Sequence, residues 1–316
     1  MMGPRGCGMN FSSLEYFEML ARERNFTRAA ERLHITQQSL SSHIAKMERE
    51  LGCQLIVRHV PLDLTYAGEV LLRYAESFRE ERRQMAQEFC DISQNQRGVL
   101  RVGVANTRGR TILPDVILKF QEQFPLIRVD LIEDSNDALH RKLIDGNVDI
   151  AIASFPSSMP GVTLREFYRE EVVMLVSKQL FDSLYGEEAE DHIRRFEEGD
   201  FSALADCPLV LGNIEDIGGH IERNLLKRAG VTHPRIVATS GNAETLLALC
   251  VRGAGACFCP DVLARSALTD EQIDSLLTLH LGEAARYRIR FGFQAKSYQW
   301  SIIDAFMRVA IETIAK

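Results

Sequence analysis

The sequence predicts an α/β protein in which a small helical module and one long helix precede a two-lobed domain. Three observations support this class. Short amphipathic helical patterns fill residues 11–51, an apolar repeat with coiled-coil spacing spans residues 71–92, and strand-like and helix-like segments alternate from residue 99 onward. The three predicted parts are residues 9–66, 67–97 and 98–316.

The charge of the chain is unevenly distributed. The 316 residues carry a formal net charge of −7, which argues against a protein that coats nucleic acid. Residues 26–59 nevertheless hold five basic against three acidic side chains, a local balance of +2 that fits site-specific DNA binding. No apolar run approaches the ~18 residues of a membrane span, and the first residues lack the apolar core of a signal peptide. A cytoplasmic location without membrane contact is therefore expected.

Residues 25–44, NFTRAAERLHITQQSLSSHI, have the pattern of two short helices joined by a tight turn. Thr27 is expected to cap the first helix of this pair and Thr36 the second. Apolar residues follow along the second helix at steps of four, three and four and face the core: Leu40, Ile44, Met47 and Leu51. The other faces of that helix are polar, which predicts a helix-turn-helix whose second helix enters the DNA major groove.

The polar side chains of this module divide by the part of DNA that they suit. Glutamine and serine can read base edges, and the candidates are Gln37, Gln38, Ser41 and Ser42. Basic side chains suit the phosphate backbone, and the candidates are Arg28, Lys46 and Arg58. Two short strand-like stretches, residues 55–57 and 62–64, are expected to form a wing. The alternative is a solvated polar helix face within a protein-interaction module.

A long helix is predicted from residue 66 or 67. Its apolar side recurs at alternating steps of four and three, as a coiled-coil seam does, through Leu71, Ala75, Phe78, Arg82, Met85, Phe89 and Ile92. This seam predicts a dimer, and a dimer of dimers is expected, with these contacts: Leu71, Phe78, Met85 and Phe89. A dimer would present two reading helices to two half-sites on DNA. The alternative is a single amphipathic helix that packs on its own domain.

The alternation of strands and helices after residue 99 predicts parallel α/β architecture. The segments are too many for one small sheet, so two lobes are expected, joined by strands that cross near residues 161–167 and 265–276. The predicted lobe I is 98–163 with 268–316, and the predicted lobe II is 164–267. Residues 187–206 have the acidic, helix-prone composition of an insertion and are expected to form a solvated surface helix.

Ligands of open α/β sheets bind beyond the carboxyl ends of the strands. Here those ends are short, polar and often glycine-bearing, and several open a helix whose free N–H groups attract anions. The candidate residues for an effector between the lobes are Asn106, Thr107, Arg108, Ser154, Phe155, Asn213, Ile214, Gly219, His220, Ser240 and Asn242. With the added charge of Arg110, they predict a small carboxylate or another anion. The alternative is that these residues only cap helices and form turns.

Seven cysteines without close pairing along the chain argue against a disulfide framework. Cys257 and Cys259 point to the same face of a predicted apolar strand, where packing in the core is favoured over a thiol switch or a metal site. The sequence contains no P-loop, no zinc-protease motif and no nucleophile elbow. No enzymatic activity, metal or cofactor is therefore predicted.

The N-terminal run FTRAAERLHITQQSLSSHIAKMERELGCQLIVR, followed by LTYAGEVLL, resembles the winged helix-turn-helix of LysR-type transcriptional regulators. The runs LRVGVANTRGRTILPDVILKFQEQFPLIRVDL, LIDGNVDIAIA and ETLLALCVRGAGACFCP resemble the effector domain of the same family, which is similar to type II periplasmic binding proteins. The resemblance implies a bacterial, sequence-specific DNA-binding regulator controlled by a small effector. It also adds Thr27 and Thr36 to the DNA contacts.

Two features depart from the family pattern. Family members often carry proline where Gln38 stands and a basic residue where Ser42 stands, and the wing at residues 59–63 is poor in basic side chains. The operator sequence therefore does not follow from the resemblance. Two alternative functions remain, a thiol-based redox sensor of the same family and a solute-binding protein, although the N-terminal module argues against the second.

Overall fold

The computed structural model describes residues 10–57, 59, 62–93, 96–212 and 217–314, with the backbone alone described at 106, 107 and 217. It contains two compact units that divide between residues 93 and 94. Within the described ranges, no helix is long and apolar enough to span a membrane.

In the described residues, the first unit consists of four helices and a two-stranded antiparallel wing. Its elements are α1 (Phe11–Glu23), α2 (Phe26–Arg32), α3 (Gln37–Leu51), β1 (Ile56–Val57), β2 (Asp63–Leu64) and α4 (Tyr66–Ile92). Phe17 and Leu20 of α1 meet Leu40 and Ile44 of α3 in a core from which solvent is fully excluded. The predicted helix-turn-helix and the predicted wing strands are both present.

The caps of the reading module differ in one place from the prediction. The side-chain oxygen of Asn25 accepts the backbone N–H groups of Thr27 and Arg28, at 2.9 and 3.0 Å, so Asn25 caps α2. The prediction that Thr27 caps this helix is wrong, because Thr27 already lies inside the first turn. Thr36 caps α3 as predicted, since its hydroxyl accepts the N–H of Ser39 at 3.1 Å.

The second unit is built on a nine-stranded mixed sheet. Its first part contains β3 (Gly98–Val104), α5 (Asn106–Thr111), α6 (Leu113–Gln123), β4 (Ile127–Glu133), α7 (Asn136–Ile144) and β5 (Ile150–Ala153). β3 pairs in parallel with both β4 and β5. The long strand β6 (Val162–Ser177) then leads into the second lobe.

The second lobe contains the following elements: α8 (Lys178–Tyr185), α9 (Ala189–Glu197), β7 (Leu209–Gly212), α10 (Ile217–Arg228), β8 (Ile236–Ser240), α11 (Ala243–Val251), β9 (Ala256–Pro260), α12 (Asp261–Ala267), α13 (Asp270–Asp274) and β10 (Leu276–His280). β7 pairs in parallel with β8 and β9, and β9 pairs antiparallel with β6. The chain returns through β11 (Arg286–Gln294) and closes on α14 (Ser301–Ile314).

Two antiparallel strands, β6 and β11, cross between the lobes. The first crossing is near the predicted place, but the second lies at residue 286 and not at residues 265–276. β10 pairs with the second-lobe half of β6, and Leu279 and Leu281 are buried in the core of that lobe. Residues 268–285 therefore belong to lobe II, and their assignment to lobe I is wrong. A strand that returns to a partner about a hundred residues earlier leaves no mark in local sequence.

The insertion at residues 187–206 is more than a solvated helix. α9 exposes an acidic and basic outer face, but Phe196 is buried, and so are Phe201 and Leu204 in the segment that follows. Phe196 packs on Phe181 of α8, and Phe201 stacks on Phe196, in the core of the second lobe. The insertion is thus an integral part of that lobe.

Candidate DNA-binding surface and interlobe site

The polar face of α3 is free to contact a ligand. The side chains of Gln37, Gln38 and Ser42 are exposed, and Ser41 is half-buried at the edge of the same face. Within the described ranges, none of these four side chains makes a hydrogen bond to another residue. The opposite face carries the buried residues of the core, so the amphipathic pattern of α3 fixes its orientation in the module.

Two of the predicted phosphate contacts, Arg28 on α2 and Lys46 on α3, are exposed. Arg28 is exposed and has no ion pair with any residue that the structure describes, whereas Lys46 lies 3.9 Å from Glu50, one turn further along α3. Thr27 and Thr36 are exposed at the starts of α2 and α3. Arg58 lies outside the described residues. Arg28 on α2 and the amide and hydroxyl groups on α3, all unpaired within the described ranges, are suited to a polyanion with readable base edges.

The predicted seam on α4 divides into two halves. Leu71 and Ala75 are 8% and 2% exposed, and Leu71 packs in the core of the helix-turn-helix. Phe78, Met85 and Phe89 are between 44% and 64% exposed. The first half of the repeat therefore covers the module itself, and the second half presents an apolar stripe.

An apolar groove of about 890 Å³ continues this stripe onto the module. Phe11 and Leu14 of α1 form one wall, Tyr74 and Phe78 of α4 form the other, and Leu71 lies at its base. Arg82, which interrupts the apolar repeat, pairs with Glu15 of α1 and lies 5.6 Å from the ring centre of Phe11. An exposed apolar surface of this extent is typical of a protein-protein contact.

An ion pair joins two helices from different lobes. Arg110 of α5, in the first lobe, pairs with Glu244 in the first turn of α11, in the second lobe, and both side chains are half-exposed. Asn242 caps α11 by accepting the N–H groups of Glu244 and Thr245, and the hydroxyl of Ser240 accepts the N–H of Asn242. The structure thus links the predicted residues Ser240 and Asn242, through Glu244, to Arg110 of α5.

Arg108 is buried and already neutralised. Its Nε and Nη2 atoms donate to the two carboxylate oxygens of Glu170 on β6, at 3.0 and 2.9 Å. The hydroxyls of Tyr168 and Tyr287 donate to the same two oxygens. Burial lowers the pKa of the Arg108 guanidinium, but the charge and hydrogen bonds of Glu170, together with Tyr287 and Tyr168, outweigh burial and keep that pKa above its ordinary value. Sequence reasoning placed Arg108 at the cleft but missed Glu170, which satisfies its charge.

The other predicted effector residues have mixed positions. Phe155 is buried in the first lobe, where it stacks on His140 at 4.8 Å, so we assign it to the core. The N–H of Ser154 is bound by the side chain of Asn136. Gly219 is buried within α10 and His220 is exposed. Asn213 and Ile214 lie outside the described residues, as do the side chains of Asn106 and Thr107.

The cysteines of the second lobe are packed as the apolar strand predicts. Cys250, Cys257 and Cys259 are buried together. Hydrogen bonds with Cys250 and Cys259, together with burial, raise the pKa of the Cys257 thiol well above its ordinary value. Burial likewise raises the pKa of Cys207 to about 11. A protonated, inaccessible thiol is a poor nucleophile. Among the described residues, no group of three or more potential ligands could hold a metal ion.

Comparisons with known proteins agree with this geometry. The family model of the LysR substrate binding domain matches residues 93–315, and that of the bacterial regulatory helix-turn-helix protein, lysR family, matches residues 11–69. The chain is 26% identical over 314 residues to the uncharacterized HTH-type transcriptional regulator YcgK of Bacillus subtilis, covering 97% of this chain and 95% of that protein.

A second relative and a solved structure extend the likeness over nearly the full length. The HTH-type transcriptional activator IlvY of Salmonella typhimurium is 24% identical over 303 residues, covering 95% of this chain and 99% of IlvY. The crystal structure of full-length CbnR complexed with its target DNA has a TM-score of 0.65 at 22% identity, covering 96% of this chain and 100% of CbnR. Because both family models match, one on each unit, the chain belongs to the LysR family of DNA-binding transcriptional regulators.

Proposed function

We propose that this regulator acts in the cytoplasm, without catalysis, as a dimer that reads operator DNA through α3 and responds to a small anion held between the lobes of its second unit. The observation that carries the DNA-reading part is the exposed polar face of α3, whose amide and hydroxyl groups have no partner among the described residues. Buried or paired side chains would not be available to read bases.

Gel-shift titrations with an operator selected from random DNA test the reading helix. Gln37→Ala should cost about 1–3 kcal/mol for the selected sequence and should relax the base preference at one position. Arg28→Ala should weaken binding to all sequences alike and lower the slope of log K against log salt by about one. Arg308→Ala removes an exposed charge from α14 and is the control. Unchanged binding by both Gln37→Ala and Arg28→Ala would refute the assignment.

The dimer proposal rests on the exposed half of the α4 seam. Phe78→Glu and Phe89→Glu place a carboxylate in the apolar stripe, so sedimentation should show smaller species and tight operator binding should be lost. Ser77→Glu adds the same charge to an exposed position one residue away from Phe78 and should leave the oligomeric state unchanged. Equal behaviour of the three variants would contradict the seam.

The effector proposal rests on the ion pair between Arg110 and Glu244. A half-exposed pair contributes little stability, so the carboxylate of an effector could replace that of Glu244 at small cost. Such a replacement would change the contact between the lobes, and an effector shifts an equilibrium only if it prefers one arrangement. Arg108 is the less suitable anion ligand, because Glu170 occupies its guanidinium.

A panel of small mono- and dicarboxylates, screened by calorimetry at constant ionic strength, tests the effector site. A binder should lose at least about tenfold in affinity, or 1.4 kcal/mol, in Arg110→Gln. Arg252→Gln is the control, because Arg252 is exposed and its side chain donates to the carbonyl of Ala248 in its own helix. Equal affinity for both variants would remove Arg110 from the site.

A further inference from the structure

A cavity of about 390 Å³ opens on the second lobe and shares no lining residue with the pair of Arg110 and Glu244. Three segments form its walls. They are the end of the insertion at residues 199–201, one face of α10, and the connection between β10 and β11 at residues 281–285. The cavity therefore depends on the insertion, which packs into this lobe through Phe196 and Phe201.

One face of α10 supplies both the apolar and the polar groups of this cavity. Ile221, Asn224, Leu225 and Arg228 all line it, at the i, i+3, i+4 and i+7 positions that share one side of a helix. Leu225 is buried, and Phe201 and Leu281 are buried on the opposite walls. An apolar floor thus lies beside an amide and a guanidinium separated by one helical turn.

Among the described residues, the acidic side chains that line the cavity are paired, whereas its arginine is not. Asp200 accepts the N–H of Ser202 and two donors from Arg195, which lower the pKa of its carboxyl to about 2. Glu283 pairs with Arg286. Arg228, in contrast, has no ion pair with any residue in the described part of the chain. The guanidinium of Arg228 is therefore available to bind a ligand.

We infer that this cavity is a second small-molecule site, which binds a monoanionic carboxylate with a compact apolar body. Its volume lies within the ~300–1,000 Å³ range of ligand pockets. Arg228 would bind the carboxylate through two parallel hydrogen bonds, the amide of Asn224 would donate to it from the preceding turn, and the apolar body would rest on Leu225 and Phe201.

The cavity adjoins one of the two strands that cross between the lobes. Its third wall, residues 281–285, leads directly into β11, which crosses back to the first lobe. A ligand that joins α10 and the insertion to this connection stabilises one position of the start of β11. This site differs from an effector site between the lobes, because all three of its walls belong to the second lobe.

Binding of cyclohexanecarboxylate to the full chain, measured by calorimetry and by saturation-transfer NMR, tests the inference. A single charged contact with a small apolar body is expected to give a Kd of ~1 mM, so titration to ~10 mM approaches saturation. Cyclohexanecarboxamide, which has the same body without the charge, should bind at least about tenfold more weakly.

Four variants locate the binding. Arg228→Gln should lower the affinity at least about tenfold, while Lys227→Gln, which removes a neighbouring exposed charge outside the cavity, should not. Ala284→Trp, at an exposed lining position, should block the cavity without disturbing the core. Arg110→Gln should bind as the unaltered chain does. Absence of binding at ~10 mM, equal affinity of the Arg228 and Lys227 variants, or a loss confined to the Arg110 variant would overturn the inference.

Discussion

The buried pair of Arg108 and Glu170 gives the sharpest test of the second unit. The side chains are 4% and 3% exposed, and the two oxygens of Glu170 accept four hydrogen bonds in all. Glu170→Gln keeps the shape but removes the charge, so the guanidinium of Arg108 is left buried without a counter-charge. Breaking a buried ion pair in this way costs about 3–5 kcal/mol in the free energy of unfolding.

Urea denaturation followed by tryptophan fluorescence reports the unfolding of the second unit, which contains this pair. Trp300 is the only tryptophan of the chain and is buried in the core of the first lobe. With a slope of about 2–3 kcal/mol per molar urea, the midpoint should fall by roughly 1–2 M. Glu171→Gln is the matched control, because its carboxylate is 20% exposed and pairs with His280 and Arg286. Its loss should cost no more than about 1 kcal/mol.

A double substitution separates the charge from the packing. Arg108→Met with Glu170→Leu replaces both charges by apolar groups of similar size, which is often neutral for a buried pair. The double variant should therefore be more stable than Glu170→Gln alone. The reasoning fails if Glu170→Gln lowers the free energy of unfolding by less than about 1 kcal/mol. It also fails if the double variant loses as much stability as Arg108→Met and Glu170→Leu lose in total when each is made alone.

Two further outcomes follow from local geometry. In Gly68→Ala, a Cβ atom would lie 2.1 Å from the carbonyl oxygen of Leu55, so α4 must shift and the first unit should lose about 1–3 kcal/mol, measurable by hydrogen exchange of its core amides. The pKa of Asp200 is about 2 when folded and 3.8 ordinarily, so its stabilising effect is present above pH 3.8 and is lost as the pH falls to about 2. In acid unfolding, Asp200→Asn should show a smaller stability loss across this interval, and an unchanged acid profile would contradict the assignment.

The reading module was predictable because its signals are local. The apolar steps of α3 and the threonine cap act within a few residues, and the structure has the cap and buries Leu40, Ile44 and Met47. The prediction that Leu51 also faces the core is wrong, because this last residue of the helix is exposed. The wrong prediction for the cap of α2 also arose from local signals. Asn25 and Thr27 are both good capping residues, and the choice between them depends on where the first turn begins.

The second unit was predictable as a class but not in its lobe boundary. Alternating strands and helices establish α/β architecture, whereas the pairing of β10 with β6 joins residues about a hundred positions apart. The same limit applies to the candidate site. Arg108 and Glu170 are 62 residues apart, so the sequence showed a cation at a strand end but not its buried partner.

The α4 seam shows why periodicity alone left two alternatives open. A helix that packs on its own domain and a helix that packs on a second helix both need an apolar stripe at steps of three and four. In the structure the one continuous stripe is divided, because Leu71 and Ala75 are buried in the first unit while Phe78, Met85 and Phe89 are exposed. The 27-residue helix spans about 40 Å, which is long enough for the two contacts to be independent. Glutamate at Phe89 should therefore separate protomers without unfolding the module, whereas glutamate at Leu71 should unfold it.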